Sequence, residues 1–174
     1  MFSLETMDID LLALKEDSYE ASVMLDKDFF LSLDDAQIQD GRVNAKLLIR
    51  KAATEEFTLT ISVEGTVMVQ CDLCLEDMEQ PVKAESSYIV KLGQNPSEDE
   101  DIIIVDENEG ILSTAWLVYE TIVLAIPIKH VHAPGKCNDA MIKKLQELSA
   151  TRSGDEIAED TIDPRWAALA QLKN

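Results

Sequence analysis

The chain has 174 residues, of which 46% are hydrophobic and 28% charged, so it can bury a core and is not disordered throughout. Its formal net charge of −19 disfavours direct binding to nucleic-acid phosphates, which requires Lys and Arg. Two interpretations of the charge remain, attraction of basic protein partners and an acidic surface that serves only solubility. The longest apolar region, residues 115–128, is too short to span a bilayer, which takes about 20 apolar residues.

The N-terminus lacks the basic segment and uninterrupted apolar core of a secretory signal. The chain also has three cysteines, an odd number that argues against a disulfide framework and for reduced thiols or a metal site. Both features predict a cytoplasmic protein.

Two segments with alternating apolar residues come first along the chain. Residues 42–50 and 56–64 each place every second side chain on an apolar face, which predicts two half-buried strands. A hairpin between them would bring the two arginines of the first strand close to Glu56 and Glu64. The basic residues of that strand therefore have two interpretations, cross-strand ion pairs or a strip that faces RNA. They are Arg42, Lys46, Arg50 and Lys51.

Further strands are predicted after this hairpin. Gly65 breaks the alternation, and residues 66–71 resume it as a third strand that ends at Cys71. Residues 86–92 and 102–105 have the composition of two more strands. The acidic segments next to them are interpreted as loops that prevent pairing with other chains.

The second half of the chain is predicted to be helical. A helix begins at an N-cap Ser113 and ends at Pro127. Its apolar stripe is predicted to contain Trp116, Tyr119, Glu120, Val123 and Ile126. Residues 139–148 predict a second helix.

The last residues form a separate segment. Residues 149–162 are polar and predict a flexible linker, so that residues 1–148 form one domain. Residues 163–174 predict a short amphipathic helix, with Trp166, Leu169 and Leu172 on one face. Because so short a helix is unstable alone, this face would bind either its own domain or a partner. The whole chain predicts an α+β fold, an antiparallel β-rich body with one principal helix and a helical C-terminal region.

Cys71 and Cys74 form a C-x2-C pair that follows the third predicted strand. The acidic neighbours Asp72, Glu76 and Asp77 disfavour a thiolate and therefore argue against thiol-redox chemistry. A zinc ion supplies the positive charge that deprotonates its own ligands, so acidic neighbours do not prevent metal binding.

The segment after Pro127 offers the other half of a metal site. It contains His130, His132 and Cys137, and a turn at Pro134 and Gly135 would bring the last two together. A closed Cys3His site would have no open position and would be structural. Its ligands would be Cys71, Cys74, His132 and Cys137. The alternatives are three free, partly buried thiols or a redox pair of Cys71 and Cys74.

The order of these segments resembles the bacterial YceD-like family, also called large ribosomal RNA subunit accumulation proteins. The resemblance rests on "CDLCLE" (residues 71–76), on "ETIVLAIPIKHVHAPGKC" (residues 120–137) and on the terminal "DPRWAALAQL" (residues 163–172). It implies a cytoplasmic, non-enzymatic factor that supports accumulation of the large-subunit ribosomal RNA. Family members often have more cysteines after the helix, whereas this chain has only Cys137 there.

The resemblance and the charge together suggest how such a factor would act. A gene for a small basic ribosomal protein often neighbours those of the family. A chain of charge −19 would influence ribosomal RNA through a basic ribosomal protein or through a large-subunit assembly intermediate. The alternative functions are a direct RNA-binding module that uses the basic strand and a thiol-redox protein that uses the cysteine pair.

Overall fold

The computed structural model describes residues 4–33, 38–53, 56–94 and 102–148. The chain divides into two compact units, Met1–Asn138 and Asp139–Asn174. The elements are, in chain order, a 3-10 turn at Leu4–Met7, β1 (Asp8–Asp10), β2 (Ser18–Leu25), α1 (Lys27–Ser32), β3 (Gly41–Ala53), β4 (Glu56–Gln70), β5 (Asp77–Leu92), β6 (Ile102–Val105), β7 (Ile111–Ser113), α2 (Ala115–Leu124) and α3 (Asp139–Leu148).

The first unit is built on a five-stranded sheet with the order β2-β3-β4-β5-β6. Neighbouring strands are antiparallel except for β5 and β6, which run parallel. A second, two-stranded sheet pairs β1 with β7. The predicted α+β fold with a β-rich body is therefore confirmed, with one parallel pair at the sheet edge.

One face of the large sheet carries the core, and this face was predicted correctly for β3. Val43, Ala45, Leu47 and Ile49 are each at most 1% exposed. Helix α2 packs over β4 and β5 on this side, and α1 contributes two fully buried phenylalanines. Phe30 connects the two helices, since its ring lies 6.5 Å from the ring of Tyr119. The other face is open and mostly polar.

The hairpin register differs from the one predicted. Arg50 lies opposite Thr58 and Arg42 opposite Thr66, so neither arginine faces a glutamate. Only two positions separate β3 from β4, and a bulge between Lys51 and Ala53 shifts the register by one residue. Without that shift, the apolar faces of the strands would lie on opposite sides.

The glutamates of β4 instead form ion pairs with lysines of β5, the strand on the opposite side of β4 from β3. Glu64 lies 3.1 Å from the Lys83 ammonium, and Glu56 lies 3.2 Å from that of Lys91, both on β5. The predicted ion pairs between β3 and β4 were therefore wrong, because the partners are on β5.

Gly65 does not break a strand, contrary to the prediction, and β4 continues through it to Gln70. A Cβ atom at this position would lie 2.2 Å from the Arg42 carbonyl oxygen and 2.6 Å from Val43 Cα. Glycine is needed here because the backbones of β3 and β4 approach closely.

Helix α2 begins one residue later than predicted. Ser113 belongs to β7, and the N-cap is Thr114, whose hydroxyl donates to the Met7 carbonyl at 2.6 Å rather than capping the helix. The predicted apolar stripe was only partly correct: Tyr119 is buried and Val123 and Ile126 pack against the core, but Trp116 is 51% exposed and Glu120 is exposed. The buried face is rotated and contains Ala115, Val118, Tyr119 and Ile122.

The second unit contains α3, which confirms the helix predicted for residues 139–148. The predicted linker and the terminal helix with Trp166, Leu169 and Leu172 lie outside the described residues. Within the described ranges, each helix is too short or too polar to cross a membrane.

Candidate metal centre

The C-x2-C pair lies on a tight turn between β4 and β5, as the sequence predicted. The Cys71 amide donates to the Glu76 carbonyl, and the Leu75 amide donates to the Cys71 carbonyl, each at 2.9 Å. These bonds close the turn on itself. Cys71 is fully buried and Cys74 is 3% exposed, so both sulfurs point away from solvent.

The other two candidate ligands follow the end of α2. The chain turns at Gly135, which has a φ of 78°, and the Lys136 amide donates to the Ala133 carbonyl at 3.0 Å. This turn returns Cys137 to His132, so that the Cys137 sulfur lies 3.9 Å from His132 Nδ1. Glycine suits this position because a positive φ is unfavourable for residues with a Cβ.

The two segments meet in one cluster of four donor atoms. The sulfurs of Cys71, Cys74 and Cys137 and the Nδ1 of His132 all lie within 4.8 Å of one another. The Cys71 and Cys137 sulfurs are 3.8 Å apart, and the Cys74 sulfur is 3.3 Å from His132 Nδ1. No disulfide joins the three cysteines.

These separations suit a tetrahedral metal. Zinc bonds of about 2.3 Å to sulfur and 2.0–2.1 Å to nitrogen require about 3.8 Å between two sulfurs and about 3.6 Å between sulfur and nitrogen. Three sulfurs and one imidazole are also the donor set that zinc prefers in closed, structural sites. The cluster can therefore hold a metal ion.

Backbone amides prepare Cys71 to be a thiolate. Burial alone would raise its pKa, but the amides of Cys74, His132 and Leu73 donate to the sulfur and bring the pKa from 9.0 down to about 5. From the sequence, the acidic neighbours were expected to disfavour a thiolate, and these amide hydrogen bonds act on Cys71 in the opposite direction. Burial and the Cys71 and Cys74 sulfurs raise the pKa of Cys137 to about 11.

His130 lies outside the cluster and has another role. Its amide donates to Asp72 Oδ2 at 2.7 Å, and the Asp72 amide donates to the His130 carbonyl at 3.0 Å. The ring Nδ1 of His130 lies 3.0 Å from the Pro127 carbonyl oxygen. Asp72, expected from the sequence only to be an acidic neighbour of the cysteines, thus forms a second attachment between the two segments that the sequence did not predict. No feature of the sequence pairs residues that are 58 positions apart.

The residues of the alternative RNA-binding strip do not all share one surface. Arg42, Lys46 and Arg50 are exposed on the open face of the sheet, whereas Lys51 lies opposite Phe57 on the other side. Within the described residues, no ion pair joins these four side chains to a carboxylate.

The family comparison covers both halves of the cluster. Residues 59–173 match the family model described as large ribosomal RNA subunit accumulation protein YceD, which is more than half of the chain. No curated protein and no solved structure matches the chain significantly.

Proposed function

The chain belongs to the YceD family of large ribosomal RNA subunit accumulation proteins, and we propose that it acts there as a non-enzymatic factor that contacts a basic protein. Family membership implies the role in large-subunit RNA accumulation, and this family is not a known enzyme family. The proposed partner is a basic ribosomal protein or a large-subunit assembly intermediate that exposes one, and the proposed place of action is the cytoplasm.

The observation that supports a protein partner most strongly is the net charge of −19. A phosphate backbone is bound by Lys and Arg that release its counterions, and this chain has 15 of them against 34 acidic residues. The same field attracts basic proteins and increases the rate of encounter with them. The acidic charge therefore favours an indirect effect on ribosomal RNA, in which the chain binds a basic protein and that protein contacts the RNA.

We propose that the cluster of Cys71, Cys74, His132 and Cys137 holds a structural zinc ion. The four ligands fill a tetrahedron and leave no position for a substrate. The metal would join the turn after β4 to the segment after α2, which are far apart in the sequence. Its contribution would be to stability and shape rather than to a reaction.

A direct RNA-binding function is the first alternative. It is favoured by the exposed row of Arg42, Lys46 and Arg50, which have no carboxylate partner among the described residues. It is disfavoured by the carboxylates of Glu64 and Glu85, which line the same shallow pocket as Lys46. If the purified chain bound RNA through this row, charge reversal at the three positions would abolish binding and flatten its salt dependence.

A thiol-redox function is the second alternative, and the lowered pKa of Cys71 is the observation in its favour. A redox cysteine must also be reached by its substrate, whereas Cys71 is fully buried. Slow alkylation of Cys71 and Cys74 at neutral pH in the native protein would argue against this function.

The test of the proposal is affinity capture with the full chain from a cell lysate at moderate salt. We expect recovery of basic ribosomal proteins or large-subunit precursors, with the basic protein retained after nuclease treatment. A parallel capture without residues 163–174 measures whether the terminal segment contributes. Recovery of neither class would contradict the proposal. So would two results obtained together: capture that nuclease abolishes, and tight binding of naked RNA by the purified chain.

A further inference from the structure

A groove of about 810 Å³ lies beside the metal cluster. Four segments of the first unit form it: α1, residues 39–40 before β3, the end of β4 with its cysteine turn, and the end of α2 with the chain after it. The first, third and fourth contribute the exposed apolar residues Leu31, Leu75 and Ile128. The groove is large enough for several side chains of a bound peptide.

Three large apolar side chains are exposed around this groove. Leu31 is 58% exposed, Leu75 is 61% exposed and Ile128 is completely exposed. Single exposed apolar residues are common, but large ones gathered around one concavity indicate an interaction site. Val123 and Ile126, which are half-buried, extend the apolar lining behind them.

Leu75 supplies an independent observation. Its φ is 60°, and it is the only described non-glycine residue with a positive φ. An L side chain rarely adopts this conformation, whereas glycine adopts it freely. The backbone conformation at this position therefore favours glycine. The side chain of Leu75 is mostly exposed and contributes little to packing of the core. A leucine in this position is best explained by a contact that its side chain makes on the surface.

The charges in the groove select the kind of partner. Asp40, Asp72 and Asp77 line it, and Lys27 is the one Lys or Arg among the described lining residues. Lys27 lies 3.6 Å from Asp40, and the His130 amide and ring contact Asp72, so Asp77 has neither a Lys nor an Arg partner among the described lining residues. A groove that combines exposed apolar side chains with carboxylates is complementary to an apolar segment that also carries Lys or Arg.

We propose that this groove is the docking site for a basic, apolar segment of the partner protein. A large apolar side chain would enter between Leu75 and Ile128, with flanking Lys or Arg residues near Asp72 and Asp77. This inference rests on the proposed function, because it names the surface at which the basic partner would bind.

The metal cluster would control the shape of the same groove. Leu75 directly follows Cys74, and Ile128 lies four positions before His132, so the segments that carry the metal cluster also form two sides of the groove. The hydrogen bonds between Asp72 and His130 hold these segments together as well. Partner binding should therefore weaken when the metal is removed.

The test is photocrosslinking with the full chain in cells. Benzoylphenylalanine replaces Ile128, whose complete exposure means that the change does not disturb the core, or replaces Met24 as a control. Met24 is 53% exposed on β2 and does not line the groove. We expect position 128 to crosslink to a Lys/Arg-rich protein, and the added change Leu75→Gly to lower the yield at least tenfold. Position 24 should give no such product.

Several outcomes would overturn the proposal. They are crosslinks from position 128 to RNA, to a second copy of the chain or to its own residues 163–174, no crosslink at all, or an unchanged yield with Leu75→Gly. Metal content and thermal unfolding of each variant establish that it is folded. If lysate capture recovers a basic protein that position 128 never crosslinks, this proposal fails while the proposed function stands. If the wild-type chain captures no basic protein, the proposed function itself fails.

Discussion

Removal of the metal should destabilise the first unit by a definite amount. A metal bound by the cluster joins Cys71 to Cys137, which are 66 positions apart in the sequence. If this metal link acts like a covalent cross-link on the unfolded chain, the entropy of closing such a loop corresponds to about 4 kcal/mol. For a chain of this size, 1 kcal/mol changes the melting temperature by roughly 2–4 °C, so chelation should lower it by about 8–16 °C.

The two histidines provide a matched pair for this experiment. His132→Ala removes a ligand, whereas His130→Ala removes a neighbouring ring that makes hydrogen-bonding contacts but lies outside the cluster. We expect His132→Ala to lose metal on dialysis and to melt near the chelated wild type. His130→Ala should keep its metal and lose at most about 1 kcal/mol, the usual value of a partly exposed polar contact.

Melting is followed by circular dichroism, and metal content by elemental analysis of protein purified without chelator. Wild-type protein that contained no metal, or whose melting temperature a chelator left unchanged, would contradict a stabilising metal centre. Equal effects of the two alanine variants would also refute it, because only one of the rings belongs to the cluster.

Three further predictions concern other parts of the molecule. Because the pKa of Cys137 is raised to about 11, its thiol is protonated at pH 7 without metal, so metal binding releases this proton and weakens as the pH falls. Calorimetry of metal binding in two buffers of different ionisation enthalpy should show that Cys137→Ser releases one proton fewer than the wild-type chain. Leu75→Gly should leave the free energy of unfolding unchanged or raise it by up to about 1 kcal/mol in denaturant titrations, because relieving the left-handed backbone offsets the small burial lost. Charge reversal of Arg42, Lys46 and Arg50 should change the free energy of unfolding by less than about 0.5 kcal/mol per site, because these side chains have no ion-pair partners among the described residues.

The candidate metal centre could be predicted from sequence because few residue types can build it. The chain has three cysteines and two histidines, and all of them lie in two short segments. Local turns bring Cys71 near Cys74 and His132 near Cys137, so only one long-range contact remained to be inferred. The choice of His132 over His130 agrees with the cluster found in the structure.

The groove could not be predicted, because its lining comes from four separate segments of the chain. Nothing in the sequence distinguishes Leu31 or Ile128 from a leucine or isoleucine of the core. The positive φ of Leu75 is also invisible in the sequence, since glycine is the residue that usually signals such a turn. Exposure and backbone conformation became evident only with the fold.

The errors in the sheet and helix have a common physical cause. Gly65 was interpreted as a strand break, although it is required by the close approach of the Arg42 backbone from the next strand. The register of the hairpin depends on a bulge that no residue type announces. The buried face of α2 is set by the sheet on which it packs, not by its own weakly amphipathic sequence. Each feature is determined by a neighbouring element.

The most direct test that the chain acts on ribosomal RNA through a basic protein partner is a measurement in cells. The ratio of large-subunit to small-subunit ribosomal RNA is compared in cells that lack this gene and carry complementing variants. We expect the wild-type chain and the charge reversal of Arg42, Lys46 and Arg50 to restore the ratio, and Leu75→Gly to fail although it folds and keeps its metal. Full restoration by Leu75→Gly, together with failure of the charge-reversed chain, would contradict the account and indicate direct contact with RNA.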